Sequence, residues 1–229
     1  MHRDAAIVRF GDGYIVHTCD SVGGVGSLEY DNLKVEMNFV ALVTLKVALV
    51  ENLSLGARPL SVGLSFCNSS GYVASAIDLV KKFLGEKFTD VDIVVSTEKN
   101  FPTVQTGMGV SVVGFARSLR VGGAAPGYGV YLLGTPLVGV EYLQRLHEAM
   151  EFDDLVNLLK LSDVGEVIPV GSKGVLREAE LLAENSGLRF VPDRVEHWLG
   201  KSAGPATCAV FYSKVQPELP KIRRIGILL

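Results

Sequence analysis

The feature that most constrains the fold of this 229-residue chain is a long apolar segment, residues 37–55. It is hydrophobic on nearly every face of a helix, which is typical of a membrane span or of a helix packed on several sides. Lys46 and Glu51 lie in its second half, and a bilayer tolerates such charges poorly. Gly56 follows where a helix C-cap is expected. The segment therefore predicts a buried helix in the core of a soluble protein.

Composition narrows the class of protein further. Apolar residues make up 48% of the chain, which excludes a disordered or fibrous protein. The net charge is -3, so there is no basic excess for a nucleic-acid partner. The N-terminus leads straight into a strand-like run without a signal peptide, which predicts a cytoplasmic protein with no membrane partner. Cys19, Cys67 and Cys208 are far apart in apolar stretches and are expected to be buried thiols.

Short apolar runs alternate with longer amphipathic segments along the whole chain, which predicts interleaved strands and helices. The expected strands are 5–10, 14–19, 60–66, 91–95, 110–115, 130–133, 164–170 and 207–212, with a final apolar segment at 225–229. The expected helices are 37–55, 73–84, 138–150, 152–159 and 175–185. This order predicts an α+β (mixed α/β) fold, and a glycine-rich loop near 116–127 predicts two domains, 1–116 and 117–229.

Carboxylates recur beside the apolar strands of the first half. Asp12 lies in a Gly-Asp-Gly turn, Asp20 ends the second strand, and Glu98 follows the strand at 91–95. Glu51 lies within the apolar helix, where an unpaired carboxylate is costly. Mg²⁺ takes hard oxygen ligands and bridges nucleotide phosphates to a few carboxylates. These acids are therefore candidate ligands of a magnesium–nucleotide complex.

Simpler interpretations stay open for each candidate. Asp12 suits an ordinary turn, Glu51 could face solvent near the helix end, and the glycine-rich segment 20–27 could be a flexible loop. Glu98 and Asn100 would ordinarily be solvated in a polar loop. Other chemistries lack their motifs, because no complete Walker A sequence, dinucleotide fingerprint, nucleophile elbow or histidine metal spacing is present.

The order of several short motifs resembles a known superfamily. The motifs are Gly-Asp-Gly at 11–13, Thr-Cys-Asp at 18–20, Glu51 ahead of Gly-Ala-Arg-Pro at 56–59, and Ser-Thr-Glu at 96–98. This order is similar to the superfamily of aminoimidazole ribonucleotide synthetase, which includes thiamine-monophosphate kinase, selenophosphate synthetase and a hydrogenase-maturation protein. The resemblance implies a two-domain fold, with an N-terminal ATP-binding sheet packed with helices and a C-terminal α/β domain.

Within that superfamily the sequence looks most like α-ribazole kinase of cobalamin salvage. That family has a glycine loop after its aspartate, a glutamate before the Gly-Ala-x-Pro turn, and a Ser-Thr-Glu-x-Asn-x-x-x-x-Gln loop. Here these match Asp20 with its following glycines, Glu51, and the segment 96–105. Thiamine-monophosphate kinase would instead show Asp at position 51 and Gly-Gly-Asp-Thr at 96–99.

The resemblance implies specific roles for these positions. Mg²⁺ is expected on Asp20, Glu51 and Glu98, with Asp12 as a helper. The expected ATP-binding residues are Gly23, Gly24, Gly26, Ser27, Thr97 and Gln105. The catalytic candidates are Glu98, Lys99 and Asn100, and Arg58 is an alternative to Lys99 for stabilising the transferred group.

The implied reaction is in-line transfer of the γ-phosphoryl group of ATP to the 5′-hydroxyl of α-ribazole, a nucleoside-like small molecule. A homodimer through the N-terminal domain is implied as well. Two other hypotheses stay open. The first is another ATP-dependent kinase or synthetase of the superfamily, and the second is a non-catalytic nucleotide-binding protein.

Overall fold

The computed structural model describes residues 4–229, which form two compact units. The first unit is 4–118 and the second is 119–229. The change of unit falls at residue 118, whereas the sequence places the boundary at 116. Each unit has its own five-stranded sheet and its own helices, in agreement with a mixed α/β fold.

The first unit contains seven strands and two long helices. They are β1 (Ala5–Phe10), β2 (Gly13–Gly23), β3 (Val25–Gly26), β4 (Leu33–Lys34), α1 (Met37–Ser54), β5 (Arg58–Phe66), α2 (Ser70–Lys87), β6 (Asp92–Thr97) and β7 (Gly107–Ala116). The main sheet has the order β1-β2-β7-β5-β6, in which only β5 and β6 pair in parallel. As a consequence β2, β5 and β6 run in the same direction, and their carboxyl ends meet at one edge of the sheet.

The apolar segment at 37–55 forms α1, as the sequence predicts. α1 packs on β2, β5 and β7, and α2 packs on α1. The Thr18 hydroxyl donates to the Ala48 carbonyl at 2.7 Å, and the Asn52 amide donates to the Val16 carbonyl at 3.0 Å. Among residues 4–229, α1 is the one helix long and apolar enough to cross a membrane, and 61% of it is buried. Its polar side chains bind the sheet, which fits a core helix.

The other face of this sheet is exposed. β7 alternates strictly between buried and half-buried residues, so every second side chain points away from α1. The register of the paired strands places side chains of β1, β2, β5 and β6 on the same side of the sheet as these β7 residues. We call this side the open face. Its side chains include Val8, Phe10, Cys19, Ser21, Ser65, Val94 and Ser111. Val8, Phe10 and Val94 are 60%, 65% and 67% exposed, a large amount of apolar surface for one sheet face.

The second unit contains β8 (Gly129–Gly134), α3 (Val140–Gln144), α4 (Phe152–Leu159), β9 (Val164–Pro169), α5 (Gly174–Glu184), β10 (Phe190–Pro192), β11 (Cys208–Ser213) and β12 (Ile222–Leu228). Its sheet has the order β10-β12-β8-β11-β9, with each neighbouring pair antiparallel. β8 and β11 are buried at every position. Their alternate residues Val130, Leu132 and Val210 share a core with Val175 and Ala179 of α5.

One sequence prediction is wrong in this unit, and one strand was missed. The helix expected over 138–150 is only α3, followed by a separate 3₁₀ helix at Leu146–Glu148. Arg145 leaves helical geometry between them, and its guanidinium binds Glu141 and Glu148 at 2.7 and 2.6 Å. β10 was not predicted, because three residues carry too little periodic signal.

The expectation of three buried thiols is also wrong. Cys208 is buried in β11, but Cys19 and Cys67 are exposed. Cys19 belongs to the open face, because residues of β2 with odd numbers alternate with Val16 and Thr18, which point towards α1. Apolar neighbours along a strand do not bury a side chain that points away from the core.

Candidate functional site

The predicted nucleotide-binding segments meet at the edge of the first sheet where β2, β5 and β6 end. Residues 24–34 follow β2, residues 98–106 connect β6 to β7, and Asn68 follows β5. Together with Tyr72 of α2 we call these residues the loop cluster. Hydrogen bonds join its segments directly, so positions far apart in sequence form one polar structure.

Asp31 is the central anchor of the loop cluster. It is 5% exposed, and its carboxylate accepts hydrogen bonds from the Thr106 amide at 2.7 Å, the Thr106 hydroxyl at 2.7 Å and the Leu28 amide at 2.8 Å. Burial alone would raise the pKa of Asp31, but these hydrogen bonds and the charge of Lys34 hold the pKa below its usual value. Asp31 is therefore an ionised acceptor that ties the loop after β2 to the start of β7.

The glycines of this loop serve close packing. A Cβ atom on Gly26 would lie 2.1 Å from the Thr106 hydroxyl and 2.7 Å from the Asp31 carboxylate, so only glycine fits. Gly24 has a φ of 70°, and its amide donates to the Thr106 carbonyl at 2.9 Å. The Ser27 amide donates to the Tyr72 hydroxyl at 3.1 Å. The amides of two expected ATP-binding residues, Gly24 and Ser27, are thus engaged within the protein.

The segment after β6 is linked to the same structure through Asn68. Asn68 is 1% exposed; its amide group donates to the Gln105 carbonyl and the Thr103 hydroxyl, and its oxygen accepts from the Gly107 amide. The Glu98 amide donates to the carbonyls of Phe66 and Asn68. The predicted residues Gly24, Gly26, Ser27, Glu98 and Gln105 are therefore brought into one region.

Glu98 closes a tight turn at the end of β6. Its carboxylate accepts from the Asn100 amide at 2.6 Å and the Phe101 amide at 3.2 Å. These backbone hydrogen bonds lower the pKa of Glu98, so the side chain is ionised at neutral pH. Thr97 is the last residue of β6 and is half-buried, whereas Lys99 and Asn100 are exposed. The catalytic candidates thus lie on the solvent side of the loop cluster.

Gln105 and Gly23 lie where the loop cluster joins the sheet. The Gln105 side-chain amide donates to the Tyr30 carbonyl at 2.6 Å, which fixes the loop before β4. Gly23 pairs with Gly107 at the last position shared by β2 and β7. Both predicted nucleotide-binding residues therefore have a structural role in holding the two segments together.

Asp20 lies three residues before the end of β2, opposite Val110 of β7. Its position alternates with Ser21 of the open face, so it points towards the face covered by α1. Burial raises the pKa of Asp20 above its usual value, and a hydrogen bond from the Ser21 amide opposes part of the rise. A half-buried carboxylate with a raised pKa at a strand end is a candidate functional group.

The four acids predicted to hold Mg²⁺ do not gather round one ion. Among residues 4–229, no group of three or more His, Cys, Asp or Glu side chains is placed to hold a metal. β7 and β5 separate Asp20 on β2 from Glu98 after β6, a sideways distance of about 14 Å. Mg²⁺ needs its ligands at about 2.1 Å, so these two carboxylates cannot share an ion within one unit.

Asp12 and Glu51 are separated from Asp20 along the length of β2, towards the end of the sheet opposite the loop cluster. Asp12 occupies the β1–β2 hairpin turn, so most of the length of β2, more than about 20 Å, separates it from Asp20. Glu51 is half-buried and adjoins Asn52, which binds Val16 about 13 Å along the strand from Asp20. The predicted convergence of these acids is therefore wrong as a description of one unit, and the metal-binding role of each stays a prediction.

Arg58 is likewise remote from the loop cluster. It begins β5, and its guanidinium donates to the Thr89 carbonyl at 3.1 Å, at the opposite end of the sheet. Of the two cations considered for stabilising a transferred phosphoryl group, only Lys99 adjoins Glu98. The structure thus favours Lys99 over Arg58.

A separate depression of about 390 Å³ lies on the first unit next to Asp20. Its lining residues are Cys19, Asp20, Ser21, Ser65, Gly109, Val110 and Ser111. Three of its side chains are serine hydroxyls of the open face, which can donate to or accept from a polar ligand. Small residues at neighbouring register positions create the hollow, because Cys19 pairs with Ser111 and Ser21 pairs with Gly109.

Sequence reasoning missed the residues that hold the loop cluster together: Asp31, Asn68, Tyr72 and Thr106. Asp31 and Asn68 had a usable signal, because each is a short polar residue in a turn beside a strand end. Tyr72 and Thr106 had none, since a tyrosine in a first helical turn and a threonine before a strand are ordinary at the surface.

The chain is similar to known proteins in its fold. It matches no protein-family model and no curated protein. Solved structures match over nearly its whole length. AaThiL complexed with AMPPCP and TMP has a TM-score of 0.68 at 17% identity, covering 99% of this chain and 84% of that chain.

Two further structures define the shared fold. Thiamine monophosphate kinase from Aquifex aeolicus has a TM-score of 0.69 at 15% identity, covering 98% of this chain and 88% of its own. PurL from Thermotoga maritima complexed with ATP has a TM-score of 0.59 at 15% identity, and 37% of that longer chain is covered. At these identities the likeness establishes that this chain shares the fold of these structures.

Proposed function

We propose that this protein is an ATP-dependent kinase that phosphorylates a small nucleoside-like molecule, with the 5′-hydroxyl of α-ribazole as the acceptor. The observation that carries the proposal is the loop cluster, which joins Gly24, Ser27, Glu98 and Gln105 at one edge of the first sheet. The fold supports it, because two of the similar structures, AaThiL and PurL, were solved with AMPPCP and with ATP bound. The acceptor is taken from the resemblance of the segment 96–105 to the Ser-Thr-Glu-x-Asn-x-x-x-x-Gln loop of α-ribazole kinase.

In phosphoryl transfer the protein mainly positions the two reactants and neutralises charge, and it needs to supply little covalent catalysis. The loop cluster is suited to positioning, since buried Asp31 and Asn68 hold its segments rigidly. Exposed Lys99 is the candidate cation for the transferred group. Asn100 and Gln105 are candidates for hydrogen bonds to the nucleotide or the acceptor.

Magnesium enters this proposal with the nucleotide, as part of the substrate. Mg²⁺ is commonly bound through one or two carboxylates together with substrate phosphates, without an all-protein cage. The spacing of Asp20, Glu51 and Glu98 does not fit one protein-held ion, and no step is assigned to such an ion. Asp20 is the candidate for contacting magnesium that arrives with ATP, because it lies on the strand leading into the glycine loop.

We also propose that two copies associate through the open face of the first sheet. Val8, Phe10 and Val94 leave apolar area in solvent there, and a second copy would bury it. A two-fold arrangement places the same surface on both partners. Association through this face would also cover the hydroxyl-lined depression beside Asp20.

The direct test is release of ADP from ATP and Mg²⁺ with one acceptor at a time. α-Ribazole, thiamine monophosphate and formylglycinamidine ribonucleotide represent the three acceptor classes. Acceptor-dependent ADP release with α-ribazole alone supports the proposal. If ATP binds but no acceptor stimulates turnover, the protein is a nucleotide-binding module and the kinase assignment is wrong.

A second candidate is a kinase or synthetase acting on another acceptor of the same superfamily. The structural similarity to AaThiL complexed with AMPPCP and TMP favours it, since that match covers 99% of this chain. Stimulation by thiamine monophosphate, and not by α-ribazole, would decide for this candidate. The motif at 96–105 argues against it.

A further inference from the structure

A chain of three hydroxyl groups runs through the loop cluster and ends at a buried carboxylate. The Ser27 hydroxyl lies 3.1 Å from the Tyr72 hydroxyl, which lies 3.0 Å from the Thr106 hydroxyl. The Thr106 hydroxyl lies 2.7 Å from the Asp31 carboxylate. Each hydroxyl has only one proton to donate, so the direction of any one of these hydrogen bonds constrains the others.

Asp31 sets that direction. An ionised carboxylate only accepts, so the single Thr106 proton is donated to Asp31. The Thr106 oxygen must then accept from Tyr72, because two oxygens 3.0 Å apart without a proton between them would repel. Having donated to Thr106, the Tyr72 oxygen has its two lone pairs left. They accept from the Ser27 amide at 3.1 Å and from the Ser27 hydroxyl.

This order leaves Ser27 without a proton to offer to solvent. Ser27 is exposed, and if its hydroxyl proton is donated inward to Tyr72 the oxygen presents only lone pairs outward. A phosphate oxygen also presents lone pairs and makes no hydrogen bond with such a group. The Ser27 amide is engaged as well, so neither polar group of Ser27 can donate to a ligand in this arrangement.

We propose that Ser27 meets its ligand as a hydrogen-bond acceptor, so the nucleotide group that it recognises is a hydroxyl or amine donor and not a phosphate oxygen. The inference rests on the proposed ATP-binding function and deepens it. It assigns the Ser27 end of the glycine loop to the sugar or base of the nucleotide. Asp31, Thr106 and Tyr72 act as positioning residues that fix the orientation of the Ser27 proton.

The binding test compares wild type with Ser27→Ala by titration calorimetry. The probes are ATP, 2′-deoxy-ATP, 3′-deoxy-ATP, inosine triphosphate and inorganic tripolyphosphate. Loss of one neutral hydrogen bond should weaken ATP binding about three- to tenfold. Tripolyphosphate binding should be unchanged, and for the analogue that lacks the recognised donor the substitution should have no effect.

Three results overturn the proposal. The first is an equal loss of affinity for tripolyphosphate, the second is unchanged ATP binding, and the third is a loss that persists with every analogue. If wild type binds no ATP, the proposed ATP-binding function is wrong and titration does not test the role of Ser27. The direction of the hydrogen bonds in the hydroxyl chain is then measured on the unliganded protein.

That second measurement is proton NMR of the Tyr72 hydroxyl, with Thr106→Val and Thr106→Ser as a matched pair. In wild type and Thr106→Ser, cross-peaks should place the Tyr72 proton beside residue 106. In Thr106→Val the acceptor is gone, and the proton should turn towards Ser27. If the Tyr72 hydroxyl proton of wild type lies on the Ser27 side, the hydrogen bonds run in the opposite direction. That result overturns the proposal without the use of a ligand.

Discussion

The two sheets of this protein are buried in different ways. In the first sheet, β7 alternates between buried and half-buried positions, and the open face leaves Phe10 and Val94 65% and 67% exposed. In the second sheet, β8 and β11 are buried at every position. The first sheet therefore offers surface to a ligand or partner, whereas the centre of the second is core.

A buried carboxylate in each unit shows a second difference between the two units. Glu166 in β9 is fully buried, and its carboxylate accepts from the Gly122 amide and the Asn185 side chain, both at 2.8 Å. Those contacts lie within the second unit and serve its structure. Asp31 in the first unit is also satisfied, but it orients residues at the surface. The two carboxylates therefore differ in what they hold: Glu166 binds Gly122 and Asn185 within the second unit, and Asp31 begins a hydrogen-bonded chain that reaches exposed Ser27.

The largest expected effect tests the burial contrast. Phe211 is fully buried and stacks on Tyr131 with ring centroids 5.5 Å apart. Phe211→Ala should lower the free energy of unfolding by about 3–5 kcal/mol. Val94→Ala, on the open face, should change it by less than about 0.5 kcal/mol at protein concentrations at which the chain is monomeric. Urea unfolding monitored by circular dichroism measures both, and similar losses would break the comparison.

The next effect tests which end of the first sheet is functional. Asp20→Asn should lower kcat/KM for ATP turnover about 100-fold, close to 2.7 kcal/mol, because charge near the phosphates is lost. Asp12→Asn is the matched control at the opposite end of β2 and should stay within about twofold. An ADP-release assay measures both variants. If Asp12→Asn is as damaging as Asp20→Asn, the placement of the site is wrong.

A third effect tests whether the open face is an interface. Phe10→Lys combined with Val94→Lys should weaken self-association at least about tenfold, since two charges would have to lose water on association. Val195→Lys is the control, because Val195 is 90% exposed in the second unit. Sedimentation velocity over a range of concentrations reports the result. If Val195→Lys alone causes dissociation, the interface lies on the second unit and not on the open face.

The smallest effect concerns the pH dependence of the loop cluster. The lowered pKa of Asp31 means that its contribution to stability is complete above the unfolded value of 3.8 and is lost as the pH falls towards the folded value. The advantage of wild type over Asp31→Asn should therefore be constant near neutral pH and shrink as the Asp31 carboxylate becomes protonated at acidic pH. Urea unfolding at several acidic pH values measures the difference, and an advantage that grows on acidification would contradict the assigned hydrogen bonds.

Much of the first unit could be predicted because its signals are local. The apolar segment at 37–55 predicts α1 to within one residue, and Gly-Asp-Gly at 11–13 predicts the β1–β2 hairpin. The helix at 138–150 could not be predicted correctly, since its apolar residues extend past Arg145, where ion pairs with Glu141 and Glu148 set the chain direction.

In the candidate site, too, the local features could be predicted from the sequence, whereas the distances between distant residues could not. Glycines after Asp20 and the segment 96–105 identify the loops that meet at one sheet edge, because each follows a strand that runs in the same direction. Sequence order gives no distance across a sheet. Two intervening strands separate Asp20 from Glu98, and register places Asp12 and Glu51 towards the other end.

The sequence by itself determined the elements, the apolar core helix and the polar loops, because periodicity and turn residues act over a few positions. Only the tertiary structure decided which acids are neighbours, which thiols are exposed and which hydroxyl groups of the loop cluster are linked. Those properties depend on strand order, register and hydrogen bonds between residues as far apart as Asp31 and Thr106, and local sequence does not encode them.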